Sequence, residues 1–399
     1  MPHLPPQPPQ QPDPSHGLPH DLPEPGFPPE EYAQRLAGTR EAMACDGLDL
    51  LLVTAPEDIH YHCGLNHQGH FAVTALLLPL DGTPVLVERA MEAPTARAQT
   101  HDVAHHGYGD GTAPAEALVD ALAQLARPAQ RVGYQADTLT LPPAVWDRLR
   151  RDVPVTWTDC GDLLILRRSV HTAREIGHLR SAARLSDTAM AAGLAAATAG
   201  ARENEVAAAV HDAMFRAGGD LPGFAPLVRS TDRLDQEHLT WTRREFGPRD
   251  GVFLELSAAY GRYHAPLARL HHLDPREAAR HRPAAEASRA AMRALCAALR
   301  PDRTAEQVFG AWRAAVEEAT GRPYRRHHCG YLVGIGFPPS WMAGTRTLRP
   351  GNPLRLRAGM TFHVQSWVLD ERLGRYACSD TALVTEDGCE VLTRTPYPN

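Results

Sequence analysis

Glu255 lies within the stretch GVFLELSAAYGRYHAPLARL (residues 251–270), in a setting that invites chemistry. Strand alternation puts Val252, Leu254 and Leu256 on one face and Phe253, Glu255 and Ser257 on the other. A carboxylate on so apolar a strand is costly unless hydrogen-bonded or used, and burial raises its pKa. Such a group can act as a nucleophile or a general base; the structural alternative is a buried pair with an arginine such as Arg269. Two histidines flank it in sequence. His238 precedes a turn in EHLTW, and His264 lies nine positions beyond Glu255 across a presumed hairpin. Tyr263 and His264 are strand neighbours, so they face opposite sides, and His264 is the preferred partner.

Other chemistry is set aside. All 41 basic residues are arginine, which excludes a catalytic lysine, a pyridoxal Schiff base and a lysine-bearing phosphate loop. Cys329 follows His327 and His328, but neighbours on a strand point apart, so it reads as a plain buried thiol. HDVAHH (101–106) and LHH (270–272) lack zinc-site spacing and read as solvated histidines. GYGDGT (107–112) lacks the context of a phosphate loop.

The elements that would carry these residues fall into two halves. Residues 31–45 have helical periodicity, 48–54 read as a buried strand, and 72–88 as two strands about an Asp-Gly turn. A helix ending at Pro128 and a strand RVGYQA complete an α/β unit, residues 31–165. The second unit, 166–399, is α+β. Helices are predicted over 172–198, capped by Thr172, over 202–217, and over 300–321 with Thr304 and Gln307 at capping-box spacing. Strands are predicted over 251–257, 261–270, 330–336, 360–369 and 378–385. Residues 1–30, rich in Pro, Gln and His, read as a disordered tail without the apolar core of a secretory signal.

A hydrophobic content of 43%, a charged content of 22% and a net charge of −6 fit a globular chain with no nucleic-acid footprint. No run is apolar enough to span a bilayer. Seven scattered cysteines, never in C-x-x-C spacing, point to a reduced cytoplasmic protein.

The phrases VHTAREIGHLRSAARLSD, GVFLELSAAYGRYHAPLARL and LRAGMTFHVQSWV…SDTALVTEDGCEVLT occur in an order that resembles the pita-bread hydrolases, creatinase, prolidase and aminopeptidase P, over residues 31–399. HLTW, RYHAPLAR, CGYLVGIGFPPSW, LRPG and AGMTFH look most like the ectoine hydrolase branch. The resemblance implies a creatinase-like N-terminal domain and a pita-bread catalytic domain. Metallopeptidases of this group hold two metals through two Asp, one His and two Glu; those positions here are Glu255, Pro266, Tyr331, Gln365 and Ser379. Only Glu255 is an ordinary ligand type, so no metal and no other cofactor is expected.

The metal-free branch implies that Glu255 is the catalytic carboxylate, assisted by His238 or His264. Tyr263, Tyr331, His363, Gln365 and Trp241 are then substrate contacts. It also implies a homodimer in which residues near 60–72 approach the partner's pocket. The expected function is hydrolysis of a C–N bond in a small cyclic amidine, amide or guanidino acid, with ectoine the leading substrate. The alternatives are a Xaa-Pro metallo-aminopeptidase and a non-catalytic binder of a small molecule or partner. Departures from the ectoine hydrolase pattern at MAGT (342–345), RYACS (375–379) and LNHQGHFA (65–72) imply an altered pocket.

Overall fold

The computed structural model describes residues 26–398. Its first half is a six-stranded sheet between helices. The elements are α1 (Pro29–Asp46), β1 (Leu50–Val53), α2 (Pro56–Cys63), β2 (Ala75–Pro79), β3 (Val85–Arg89), α3 (Ala93–Gln99), β4 (Ala104–Tyr108), α4 (Pro114–Leu125), β5 (Arg131–Tyr134), α5 (Pro143–Asp152), β6 (Thr156–Asp159) and α6 (Gly161–Ser169). Strand order is β4-β3-β2-β1-β5-β6. Alternation along β1 sends Leu50 and Leu52 into one core with Leu118 and Leu149 of α4 and α5. Leu51 and Val53 enter a second core with Met43 and Ile59 of α1 and α2. A strand flanked on both faces has to be apolar throughout, as LLLV is.

The second half comprises α7 (Ala173–Ala196), α8 (Glu203–Arg216), β7 (Leu227–Ser230), β8 (Gly251–Leu256), β9 (Ala259–Tyr260), β10 (Tyr263–His264), β11 (Leu267–His272), α9 (Pro275–Ala298), α10 (Ala305–Thr320), β12 (Gly330–Phe337), β13 (Ser340–Thr347), β14 (Thr361–Asp370), β15 (Gly374–Val384) and β16 (Cys389–Val391). They form an antiparallel sheet ordered β7-β8-β11-β15-β14-β12-β10-β9, with β13 on β12 and β16 on β15. Helices α7 and α8 pack their apolar faces on Val252, Leu254 and Leu256 of β8. Helices α9 and α10 cover Phe362, Val364 and Val368 of β14. This is the expected α+β arrangement. Thr172 caps α7 in a capping box with Glu175, and Thr304 caps α10 with Gln307.

Three elements differ from the sequence reading. The strand predicted over 261–270 is broken: β10 pairs with β9 and β12, whereas β11 pairs with β8 and β15. Pro266 lies at the break, where a missing N–H ends one ladder and lets the chain join another. Helix α9, which contains Pro283, and strand β13 are elements for which the sequence reading made no prediction. The boundary at 165 falls inside α6. Within residues 26–30, expected in the tail, Phe27 is buried against His178 at 4.5 Å and α1 starts at Pro29. The remainder of that tail, residues 1–25, lies outside the described residues.

The two halves are joined by buried charge. Within the first half, Arg168 of α6 pairs with Asp58 of α2, whose other oxygen accepts from Gln135 at 2.7 Å; the link between the halves is made next to it. Arg35 of α1 lies 3.4 Å from Glu175 of α7, which also accepts a 2.6 Å hydrogen bond from the Tyr263 hydroxyl. Among the described residues no helix is long and apolar enough to cross a membrane.

Candidate active site

Register assembles the site. Glu255 on β8 pairs with Ala268 on β11, Ala268 with Ser379 on β15, and Ser379 with Gln365 on β14. Directly paired residues of an antiparallel sheet share a face, so the four side chains form one row across the strands. His363, two residues before Gln365, shares that face and pairs with Tyr331 on β12. Four of the five positions singled out from the sequence, Glu255, Tyr331, Gln365 and Ser379, are therefore brought together around His363. At the fifth, the Pro266 carbonyl accepts from Thr381 at 2.7 Å.

Hydrogen-bond direction around His363 follows from donor chemistry. The Trp341 indole N–H donates to the Tyr331 oxygen at 2.8 Å, which leaves the Tyr331 proton for His363 Nδ1, also at 2.8 Å. The Gln365 amide faces the same Nδ1 at 3.2 Å. Nδ1 is thus the acceptor, and Nε2 carries the proton and donates to Ser379 Oγ at 2.7 Å. The same Nε2 lies 4.0 Å from Glu255 Oε1. Burial, reinforced by His328, pushes His363 down to about 3 and keeps it a neutral donor.

Glu255 is 6% exposed. Burial raises its pKa to about 7 against the opposing pull of Arg229 and Arg326. These two arginines were not found in the sequence. Arg229 on β7 is wholly buried, donates to the carbonyl of Glu237 at 3.0 Å and lies 4.5 Å over the Phe253 ring. Arg326 lies 4.4 Å over Trp367 and pairs with Glu237 at 3.1 Å. Both come from segments remote from Glu255, so only the tertiary fold discloses them. Arg269, the partner suggested by sequence proximity, instead binds Asp380 at 2.8 Å.

The remaining expected residues are placed unequally. His238 is exposed and lies parallel to Phe224, with ring centroids 6.2 Å apart; Phe224 in turn packs edge-on against Trp341 at 4.8 Å. It therefore lies outside the site, with the rings of Phe224 and Trp341 between it and Tyr331. His264 is wholly buried, its Nδ1 donating to the Arg262 carbonyl at 2.8 Å and its Nε2 accepting from Gly223 N–H at 2.8 Å. With both nitrogens occupied and its pKa pushed down to about 4 by burial, it has no free site for proton transfer. Tyr263 faces away, into the α1–α7 junction, and Trp241 turns toward α8, edge-on to His211 at 6.2 Å. The structure does not bring these three to Glu255.

A bimetallic site needs several anionic oxygen or histidine donors converging on the ions. Among the described residues, no group of three or more His, Cys, Asp or Glu side chains converges in that way. At the site the donors are one carboxylate, a histidine hydrogen-bonded at both nitrogens, and neutral Tyr, Gln and Ser. This donor set does not fit a pair of divalent ions.

Residues 177–386 match the metallopeptidase family M24, and residues 35–170 match the Creatinase/Prolidase N-terminal domain. The chain belongs to the M24 family. Its relatives include the ectoine hydrolase of Halomonas elongata, 27% identical over 397 residues, spanning 93% of this chain and 97% of that one. The probable dipeptidase PepE of Mycobacterium tuberculosis is 29% identical over 379 residues, with 93% and 96% covered. Among solved structures, dipeptidase PepE from Mycobacterium ulcerans superposes with a TM-score of 0.78 at 25% identity, covering 94% of this chain and 100% of that one. Prolidase from Pyrococcus horikoshii shares the fold, with a TM-score of 0.77 at 20% identity and 91% and 99% covered.

Proposed function

We propose that the protein is a metal-independent hydrolase of a C–N bond in a small cyclic amidine, amide or guanidino acid, with ectoine the leading substrate. The observation that carries this is Glu255: a buried carboxylate facing a neutral histidine, in a setting with too few donors for metal ions. The relationship to an ectoine hydrolase over nearly the whole chain supports the substrate. Arg229 and Arg326 supply positive charge beside Glu255, which suits a substrate bearing a carboxylate.

An amidinium carbon is already electrophilic. A Glu255 oxygen held within about 3–3.5 Å attacks it, forming a C–O bond as the C=N electrons move onto nitrogen. The ring C–N bond then breaks, its electron pair staying on the leaving nitrogen, which takes a proton from water. Water opens the adduct and regenerates the carboxylate. His238, exposed beyond Phe224, would exchange protons with solvent, and neutral His363, its Nε2–H given to Ser379, lies 4.0 Å from Glu255 without adding charge. If no adduct forms, the same carboxylate serves as the base for attacking water.

The test is turnover of ectoine to its N-acetyl-diaminobutyrate product by chelator-treated protein. Retained activity, lost in Glu255→Gln with substrate binding preserved, is the expected result; intact-mass analysis after rapid quench should show an adduct on the Glu255 peptide. Two bound metals per chain, with Xaa-Pro cleavage lost on chelation, would establish the peptidase reading instead. Ligand-induced stabilisation without turnover of any amidine, amide or peptide would mark a binding protein.

A further inference from the structure

A cavity of about 630 Å³ lies where β11 passes the chain to α9, lined by residues of β11, α9 and β15. That volume is in the range that takes a small organic molecule. Glu255, His363, Tyr331 and Gln365 are not among its lining residues, so it is separate from the candidate active site.

Its floor holds polar groups without partners. His272 is 8% exposed, and neither ring nitrogen has a hydrogen-bond partner among the described residues. Tyr376 is 2% exposed, and its hydroxyl is likewise unpaired. Native interiors seldom leave such groups unsatisfied, so their concentration at one cavity points to something that completes them. LHH was read from sequence as solvated, yet His272 is buried and lies flat against His281 at 4.9 Å. His281 is itself fixed, its Nδ1 accepting from the Arg375 N–H at 3.0 Å. Burial, then His281 and His271, push His272 down to about 4, so it offers one neutral N–H and one lone pair.

The wall combines cationic and apolar side chains. Arg282 and Arg289 stand seven residues apart on α9, two helical turns on one face. Neither has an ion-pair partner among the described residues, and the Arg289 guanidinium lies 5.9 Å over the Tyr376 ring. Glu286 is the single acid in the lining, which leaves the arginines in excess. Leu273, Pro275, Ala278 and Ala285 supply apolar surface. An inorganic anion would meet the arginines but leave that surface and the floor unfilled.

We propose that this cavity binds a small aromatic carboxylate. The carboxylate engages Arg282 and Arg289, the ring lies against Ala278 and Ala285, and a hydroxyl or ring nitrogen meets Tyr376 and His272.

The experiment is calorimetric titration of the full chain with 4-hydroxybenzoate, alongside thermal melting. Saturable binding and a raised Tm are expected, with binding unchanged in Glu255→Gln. Arg289→Ala, at a half-buried position that leaves the unliganded Tm near wild type, should weaken binding about tenfold or more. Ala285→Phe should fill the cavity and abolish binding. Benzamidine, with the same ring and the opposite charge, should not bind there. Absence of saturation up to about 10 mM, or binding indifferent to both cavity variants, would overturn the proposal. So would loss of binding in Glu255→Gln, because the probe would then occupy the active site.

Discussion

Glu255 is governed by the balance between burial and two arginines. Its folded pKa of about 7 stands above the ordinary 4.5. If the carboxylate is the reacting form, kcat/KM rises with pH through a limb near 7 and falls below it. Arg326 pulls in the opposite sense, so Arg326→Met should move that limb to higher pH; a limb unchanged near 4.5 in both proteins would contradict the assignment. The same shift carries a stability sign. Between the unfolded and folded pKa values the native state holds the extra proton, so wild type loses up to about 3 kcal/mol as pH rises from about 4.5 to above 7. Glu255→Gln should flatten that dependence in denaturant titrations. His264 makes the contrasting case, because both its nitrogens are used by backbone groups. His264→Phe leaves the Gly223 N–H unpaired and should cost roughly 1–3 kcal/mol of stability while kcat of the folded fraction stays near wild type. A large loss of kcat at unchanged Tm would restore His264 to the chemistry.

At the scale of elements, the junction of α1, α7 and β10 is a latch built on one carboxylate. Burial pushes Glu175 up, but His171, Arg35 and Tyr263 outweigh it and hold the pKa at about 2. A depressed carboxylate contributes stability above its unfolded pKa of 4.5 and loses it as pH falls toward 2. Tyr263→Phe removes the 2.6 Å hydrogen bond and should destabilise by about 1–3 kcal/mol, with a smaller further loss on acidification than wild type shows. Equal acid sensitivity in the two proteins would remove Tyr263 from the latch. This network also shows what the sequence could and could not disclose. Thr172 with Glu175, and Thr304 with Gln307, are local signals, and they mark the helix starts found in the structure. The opposite orientations of Tyr263 and His264 follow from strand alternation. Whether either of them reaches Glu255 depended on pairing, and the break at Pro266 makes Ala268 the partner of Glu255, with Tyr263 and His264 on β10 paired to β9 and β12 instead. Arg229 and Arg326 reach Glu255 only through sheet order and loop packing, so nothing in their local sequence marks them. Trp241 was carried by its phrase, and its ring packs toward α8 instead.

For the whole molecule, the open question is what covers the loop after α2. Residues 60–70 pack within their own chain: Asn66 accepts from Arg262 Nε at 2.5 Å, and His70 meets Phe337 edge-on at 5.2 Å. Beyond them Phe71 is 81% exposed, with Met91 64% exposed on the segment after β3. The Arg89 guanidinium stands 6.0 Å over the Phe71 ring, so an aromatic and a cation are presented side by side. An exposed phenylalanine beside an arginine suits the centre of an interface better than open solvent. His67 is buried in this loop, its Nδ1 3.5 Å from the Glu92 carboxylate and its Nε2 without a hydrogen-bond partner among the described residues. We propose that a second copy of the chain covers this loop and that residues 60–72 border the partner's pocket. Light scattering should then give twice the 43.6 kDa chain mass at micromolar concentration. Phe71→Asp should weaken the dimer and reduce turnover in parallel, with activity recovering as protein concentration is raised, because mass action restores the assembled site. A Phe71→Asp monomer with full turnover at every concentration would show that each chain carries a complete site of its own.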